Sequence, residues 1–148
     1  MSIPYRLERK LLEDTFKHFR ACGCGHAECQ VLWLSSWTQP EIITKVVHPK
    51  HTSHIDGYAV DDTWLNAFWV ELGDTNTGIR AQVHTHPREA FHSPSDDEYP
   101  IIHKPGFLSL VIPNFGLGPV GFKDAYLTEI QADGGWRQVP IASRLVVP

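Results

Sequence analysis

The 148 residues lack any run of basic side chains, and acidic residues outnumber basic ones, seventeen to thirteen. Binding of nucleic acid through its phosphates is therefore not indicated. Cysteine is scarce: only Cys22, Cys24 and Cys29 occur. Their odd number and close spacing suit reduced thiols in a cytoplasmic setting rather than a disulfide framework. No apolar run approaches the length of a membrane span. The opening Met-Ser-Ile-Pro-Tyr-Arg-Leu-Glu-Arg-Lys is charged where a secretory leader needs an apolar segment. Internal repeats, low-complexity tracts and linkers are also missing. The expectation is one cytoplasmic domain spanning residues 1–148, away from membranes. Apolar residues make up 42% of the chain and five are tryptophans, enough for a sizeable core and too many for disorder.

What the chain does have is Val83-His84-Thr85-His86-Pro87, followed within ten residues by His92-Ser93-Pro94-Ser95-Asp96-Asp97. The residues before Pro87 alternate, with Ile79, Ala81 and Val83 pointing one way and Arg80, Gln82, His84 and His86 the other. That is the period of a half-buried strand, so both imidazoles leave one face and can grip one cation. Pro87 cannot donate to a ladder, which leaves His86 at the strand's end. Ser93 or Ser95 could cap a helix with a carboxylate in its first turn. Two histidines, a carboxylate and a water make the open four-coordinate site of a catalytic zinc.

Around this motif the pattern predicts a helix over residues 5–19, with Leu7, Leu11, Leu12, Phe16 and Phe19 on its dry face. Ala21-Cys22-Gly23-Cys24-Gly25 ends it. Residues 26–34 form a mostly apolar, buried strand in which Glu28 is the oddity, because a buried carboxylate is costly unless paired or performing chemistry. A rival metal reading lies here: Cys22, Cys24, His26 and Cys29 offer soft ligands for a structural zinc knot. Residues 42–47 are a second strand, and His48, His51 and His54 follow in a solvated polar loop. Asp61 or Asp62 caps an aromatic helix that Gly73 ends. A short helix is expected over residues 100–104 and a buried strand over 107–112. Residues 114–119 form a glycine-rich turn, and a hairpin is built on Asp133-Gly134-Gly135. The class is α/β, a largely antiparallel sheet between helices.

With these pieces in place the chain resembles the JAMM, or MPN-plus, metallopeptidases, whose signature is a glutamate on an early strand, then His-x-His-Pro, then Ser-x-x-Asp. Glu28 matches the first element, His84-Thr85-His86-Pro87 the second and Ser93-Pro94-Ser95-Asp96 the third, and the likeness covers nearly the whole chain. It implies the MPN fold (JAB/cytidine deaminase-like) and one zinc ion per chain held by His84, His86 and Asp96. Glu28 would be the general base and Ser93 the oxyanion donor. Counting from His84 favours Asp97 as third ligand, whereas the serine spacing favours Asp96. Glu41 is the second candidate for the base, in a turn context. The implied reaction is hydrolysis after the C-terminus of a ubiquitin-like protein, and the short chain resembles bacterial members tied to ubiquitin-like conjugation, some of them antiphage. Alternatives are a peptidase processing a sulfur-carrier or ubiquitin-like precursor, a non-catalytic MPN interaction module, and a metal-binding protein built on the cysteines. Interaction modules usually lose motif residues; this chain keeps them.

Overall fold

A computed structural model describes residues 3–55, 57–93 and 101–148. The chain opens with strand β1 (Tyr5–Leu7) and helix α1 (Arg9–Gly23). The expected helix thus starts four residues late. Tyr5 and Arg6 pair with Leu145 and Val146, while Arg6 and Leu7 pair with Ile42 and Ile43. Ladders on both sides satisfy the backbone better than a frayed first turn would. Next come β2 (Gln30–Ser36), β3 (Ile42–Ile43), β4 (Lys45–Val47), β5 (His51–His54) and β6 (Gly57–Val60). The expected strand over 42–47 is split in two: β3 joins β1, whereas β4 joins β2. His51 and His54 lie in β5, which pairs antiparallel with β6, and not in a loop.

Helix α2 (Asp62–Thr75) is capped by the Asp61 carboxylate, which accepts a hydrogen bond from the Trp64 amide at 2.9 Å. It runs past Gly73, and the stop is Asn76, left-handed at φ 52° with its amide returned to the Gly73 and Leu72 carbonyls. Asparagine tolerates that conformation and serves as the cap here in glycine's place. Then follow β7 (Thr77–Thr85), β8 (Leu108–Ile112), a 3-10 turn (Asn114–Gly116), β9 (Tyr126–Ile130), β10 (Trp136–Gln138), α3 (Ile141–Arg144) and β11 (Leu145–Val146). Residues 101–104 are not helical; Ile101 and Ile102 instead pack against the sheet's apolar cluster on the α2 side. No helix among the described residues is long and apolar enough to cross a membrane.

Within the described residues a six-stranded sheet runs β10-β9-β8-β7-β2-β4. In this sheet only β7 and β8 are parallel neighbours, and β1 pairs parallel with β11 and β3 beside it, so the architecture is the mixed, largely antiparallel α/β one expected. Helix α1 covers one face, where Leu12, Phe16 and Phe19 meet Val31, Trp33, Val83 and Leu110. Helix α2 covers part of the other, where Phe68 and Leu72 meet Leu32, Leu34 and Ile79. The position of Ile79 corrects the simple alternation. Trp33 pairs with Ala81 but Leu34 with Ile79, so Arg80 is an extra residue in β7. A bulge of this kind swaps the faces of everything on one side of it. Ile79 therefore shares a face with Gln82, His84 and His86, away from Ala81 and Val83.

One hydrogen bond ties α1 to the sheet: the indole N–H of fully buried Trp33 donates to Thr15 Oγ1 at 2.9 Å, and that hydroxyl donates to the Leu11 carbonyl at 2.9 Å. Thr15→Val keeps the side chain's shape and strands the indole N–H. It is expected to lower unfolding stability by about 1–3 kcal/mol, read from the urea midpoint. A midpoint equal to the wild type would mean that this bond anchors nothing.

Candidate metal centre

The site is assembled by the β2–β7 ladder, in which Gln30 lies opposite His84 and Val31 opposite Val83. Pairing continues one step further, since the Thr85 amide donates to the Cys29 carbonyl at 3.0 Å and the Cys29 amide donates to Thr85 Oγ1 at 3.0 Å. Extending that register sets Glu28 across from His86, where cross-strand side chains stand about 5 Å apart. Beyond Thr85 the backbone of His86 is still held: its amide donates to the Ile112 carbonyl at 2.9 Å and its carbonyl accepts from the Phe115 amide at 2.8 Å. Pro87 can therefore end the strand without loosening the second histidine.

His84 is fully buried, His86 is 4% exposed and Glu28 6% exposed. A cleft of about 1040 Å³ is lined by Glu28, Gln30, Tyr58, His86, Phe91 and Ser93 among others, and His84 does not reach its wall. The imidazole centroids of His84 and His86 are 5.2 Å apart; Tyr58 lies 5.5 Å from His84 and Phe91 lies 4.6 Å from His86, edge to face. Two imidazoles on one tetrahedral zinc, with Zn–N of about 2.0–2.1 Å, have centroids roughly 5 Å apart. The pair fits that ion in spacing and in donor chemistry. Asp96, its alternative Asp97, and Ser95 lie outside the described residues, so two of the three expected ligands are placed. Ser93 lies on the cleft wall. Glu41 does not; its carbonyl accepts from the Arg6 amide at 2.7 Å beside β1.

The sequence reading passed over two cleft residues. Tyr58 comes from the β5–β6 hairpin, which was not foreseen. Gln30 is 1% exposed, and neither end of its amide has a partner among the described residues. Its signal was present, because Glu28 and Gln30 share one face of an otherwise apolar strand.

The rival cysteine set is also corrected. Cys24 is exposed, its thiol donating to the Ala21 carbonyl at 3.3 Å, and His26 is exposed. Cys22 and Cys29 do converge, but with His48 and His51. Among the described residues this is the group of three or more metal-ligating side chains. In the ion-free protein, burial and then the neighbouring Cys22 push the Cys29 thiol above its ordinary range. Lost solvation, then His51 and His18, lower the His48 imidazole to about 4.

No family model matches the chain. It is 32% identical over 144 residues to a probable metalloprotease, y4jG, of Sinorhizobium fredii, covering 92% of this chain and 87% of that one. Solved structures share the fold at low identity. A protein from Desulfitobacterium hafniense superposes with a TM-score of 0.67 at 15% identity, over 97% of this chain and 92% of that one. A JAB1/MPN domain protein from Archaeoglobus fulgidus gives 0.54 at 13% identity, over 98% of this chain and 100% of that one. A protein from Salinibacter ruber gives 0.61 at 13%, over 97% and 91%.

Replacing both imidazoles, His84→Ala/His86→Ala, is expected to remove one equivalent of bound zinc per chain relative to the wild type, measured by elemental analysis. Zinc content equal to the wild type would exclude the pair as ligands.

Proposed function

This chain belongs to the JAMM/MPN+ metallopeptidase family, and on that premise we propose that it hydrolyses the bond after the C-terminus of a ubiquitin-like protein. It would act as an isopeptidase of the deubiquitinase kind in a bacterial ubiquitin-like conjugation system, some of which serve antiphage defence. The observation that carries the reading is the convergence of Glu28, His84 and His86 on one buried face, with Glu28 and His86 lining an open cleft.

His84 and His86, with Asp96, would hold the zinc, which when bound would supply Lewis-acid polarisation of a carbonyl and a more acidic water. Glu28 takes that water's proton and later delivers it to the leaving amine. Its burial keeps bulk water from competing for the same oxygens. Ser93, on the cleft wall, donates to the oxyanion, stabilising charge that appears only in the transition state. The substrate tail has a place to lie. Strand β6 lines the cleft through Gly57, Tyr58, Ala59 and Val60, and among the described residues it pairs with β5 alone. An extended peptide can add to such an edge through main-chain hydrogen bonds. A peptidase that trims a sulfur-carrier or ubiquitin-like precursor would use the same groups. Linear fusions and isopeptide conjugates of one ubiquitin-like protein, compared as substrates, separate the two.

Glu28→Gln is expected to retain zinc and fold while cleavage of a ubiquitin-like conjugate falls by at least about 100-fold. Cleavage at the wild-type rate would remove Glu28 from the mechanism. A chelator should abolish wild-type cleavage and added zinc restore it; activity indifferent to chelation would sink the metallopeptidase reading.

A further inference from the structure

The chain brings four soft ligands together outside the cleft, from two connections distant in sequence. Cys22 lies in the last turn of α1 and Cys29 just before β2, whereas His48 follows β4 and His51 opens β5. We propose that Cys22, Cys29, His48 and His51 form a second zinc site, structural and closed, separate from the two-histidine centre of the cleft.

Geometry carries this. The four ligand atoms lie within 4.8 Å of one another, with Cys22 Sγ to His51 Nε2 at 3.3 Å and Cys29 Sγ to His48 Nε2 at 3.3 Å. Zn–N and Zn–S bonds of about 2.0 and 2.3 Å give a ligand tetrahedron with edges of roughly 3.3–3.8 Å, so closure asks for little movement. The outer contacts suit metal binding too. His51 Nδ1 lies 2.7 Å from the Pro49 carbonyl, which can only accept, so the proton sits on Nδ1 and the lone pair on Nε2 faces the thiol. His18 stacks on His48 at 5.2 Å and 13°, fixing that ring. Four protein ligands leave no open position, which is the mark of a structural zinc. Binding balances simply: two thiols lose their protons to solvent, and the dication with two thiolates is neutral in a partly buried place.

Position gives the site its consequence. Cys29 adjoins Glu28 and is clamped to Thr85, between the two cleft histidines. On the other side the ring of His51 stands 6.4 Å from Tyr58, which is 5.5 Å from His84. An ion here ties the segment bearing the base to the hairpin that walls the cleft.

The test is metal content and cobalt spectroscopy on the whole chain. The wild type purified without chelator should carry about two equivalents of zinc, and Cys22→Ser/His51→Ala about one. The decisive protein is His84→Ala/His86→Ala, which leaves the cluster intact. Loaded with cobalt(II), it should show sulfur-to-cobalt charge transfer that disappears when Cys22→Ser/Cys29→Ser is added. Absence of that absorption in His84→Ala/His86→Ala would overturn the proposal, as would a Cys22–Cys29 disulfide in the purified wild type. Loss of cleft zinc alone does not touch these readouts, so the two metal assignments fail independently.

Discussion

The antiparallel pairing of β2 with β7 is the constraint on which the site depends. Its register places Gln30 opposite His84 and carries Glu28 to His86, so the carboxylate and both imidazoles are positioned by backbone hydrogen bonds. The bulge at Arg80 is what makes this register compatible with the core. Without the extra residue, either Ile79 would leave Phe68 and Leu72, or the histidines would turn into the dry face under α1. The bulged residue is secured where it emerges, for Arg80 Nε donates to Ser35 Oγ at 2.8 Å. The guanidinium lies back along the strand, about 3.0 Å from where a Cβ on Gly78 would stand.

The face that carries the histidines is divided in two. Toward one end α2 closes it with apolar side chains; toward the other it opens as the cleft. A row of buried polar groups runs across the middle, with Gln82, Ser109 and Thr128 in register on three neighbouring strands. Gln82 satisfies both ends of its amide, donating to Ser109 Oγ at 3.2 Å and accepting from the Ile101 amide at 3.3 Å. That second bond anchors the chain where it returns to the sheet. Gln30, one row nearer the cleft, has no such partners among the described residues. Polar groups left open at the edge of a cleft are those a bound substrate can satisfy.

The expected strand over 26–34 begins at Gln30, so the buried carboxylate of Glu28 lies two residues before β2. A carboxylate removed from water is costly unless it is paired or performs chemistry, and Glu28 is only 6% exposed at the cleft. Cys29, next along the chain, is held to Thr85 by two hydrogen bonds, which fixes the backbone beside that position.

The histidine motif, its proline, the early glutamate and most of the strands and helices were legible because each is local: period, caps and breakers act over a few residues. The same locality explains the misses. Residues 5–7 read as helix because their sheet partners lie near residues 42 and 145, and no window along the chain contains all three. The Arg80 bulge is invisible to alternation, since it exists only relative to β2. Cys22 and Cys29 were recognised as soft ligands, but their spacing suggested Cys24 and His26. The fold supplied His48 and His51 instead, through a hairpin that local pattern read as loop. The sequence by itself determined which chemical groups are available and which segments are extended or helical. Only the tertiary structure decided which groups meet, because strand register and hairpin docking are set by burial and ladder partners far away along the chain.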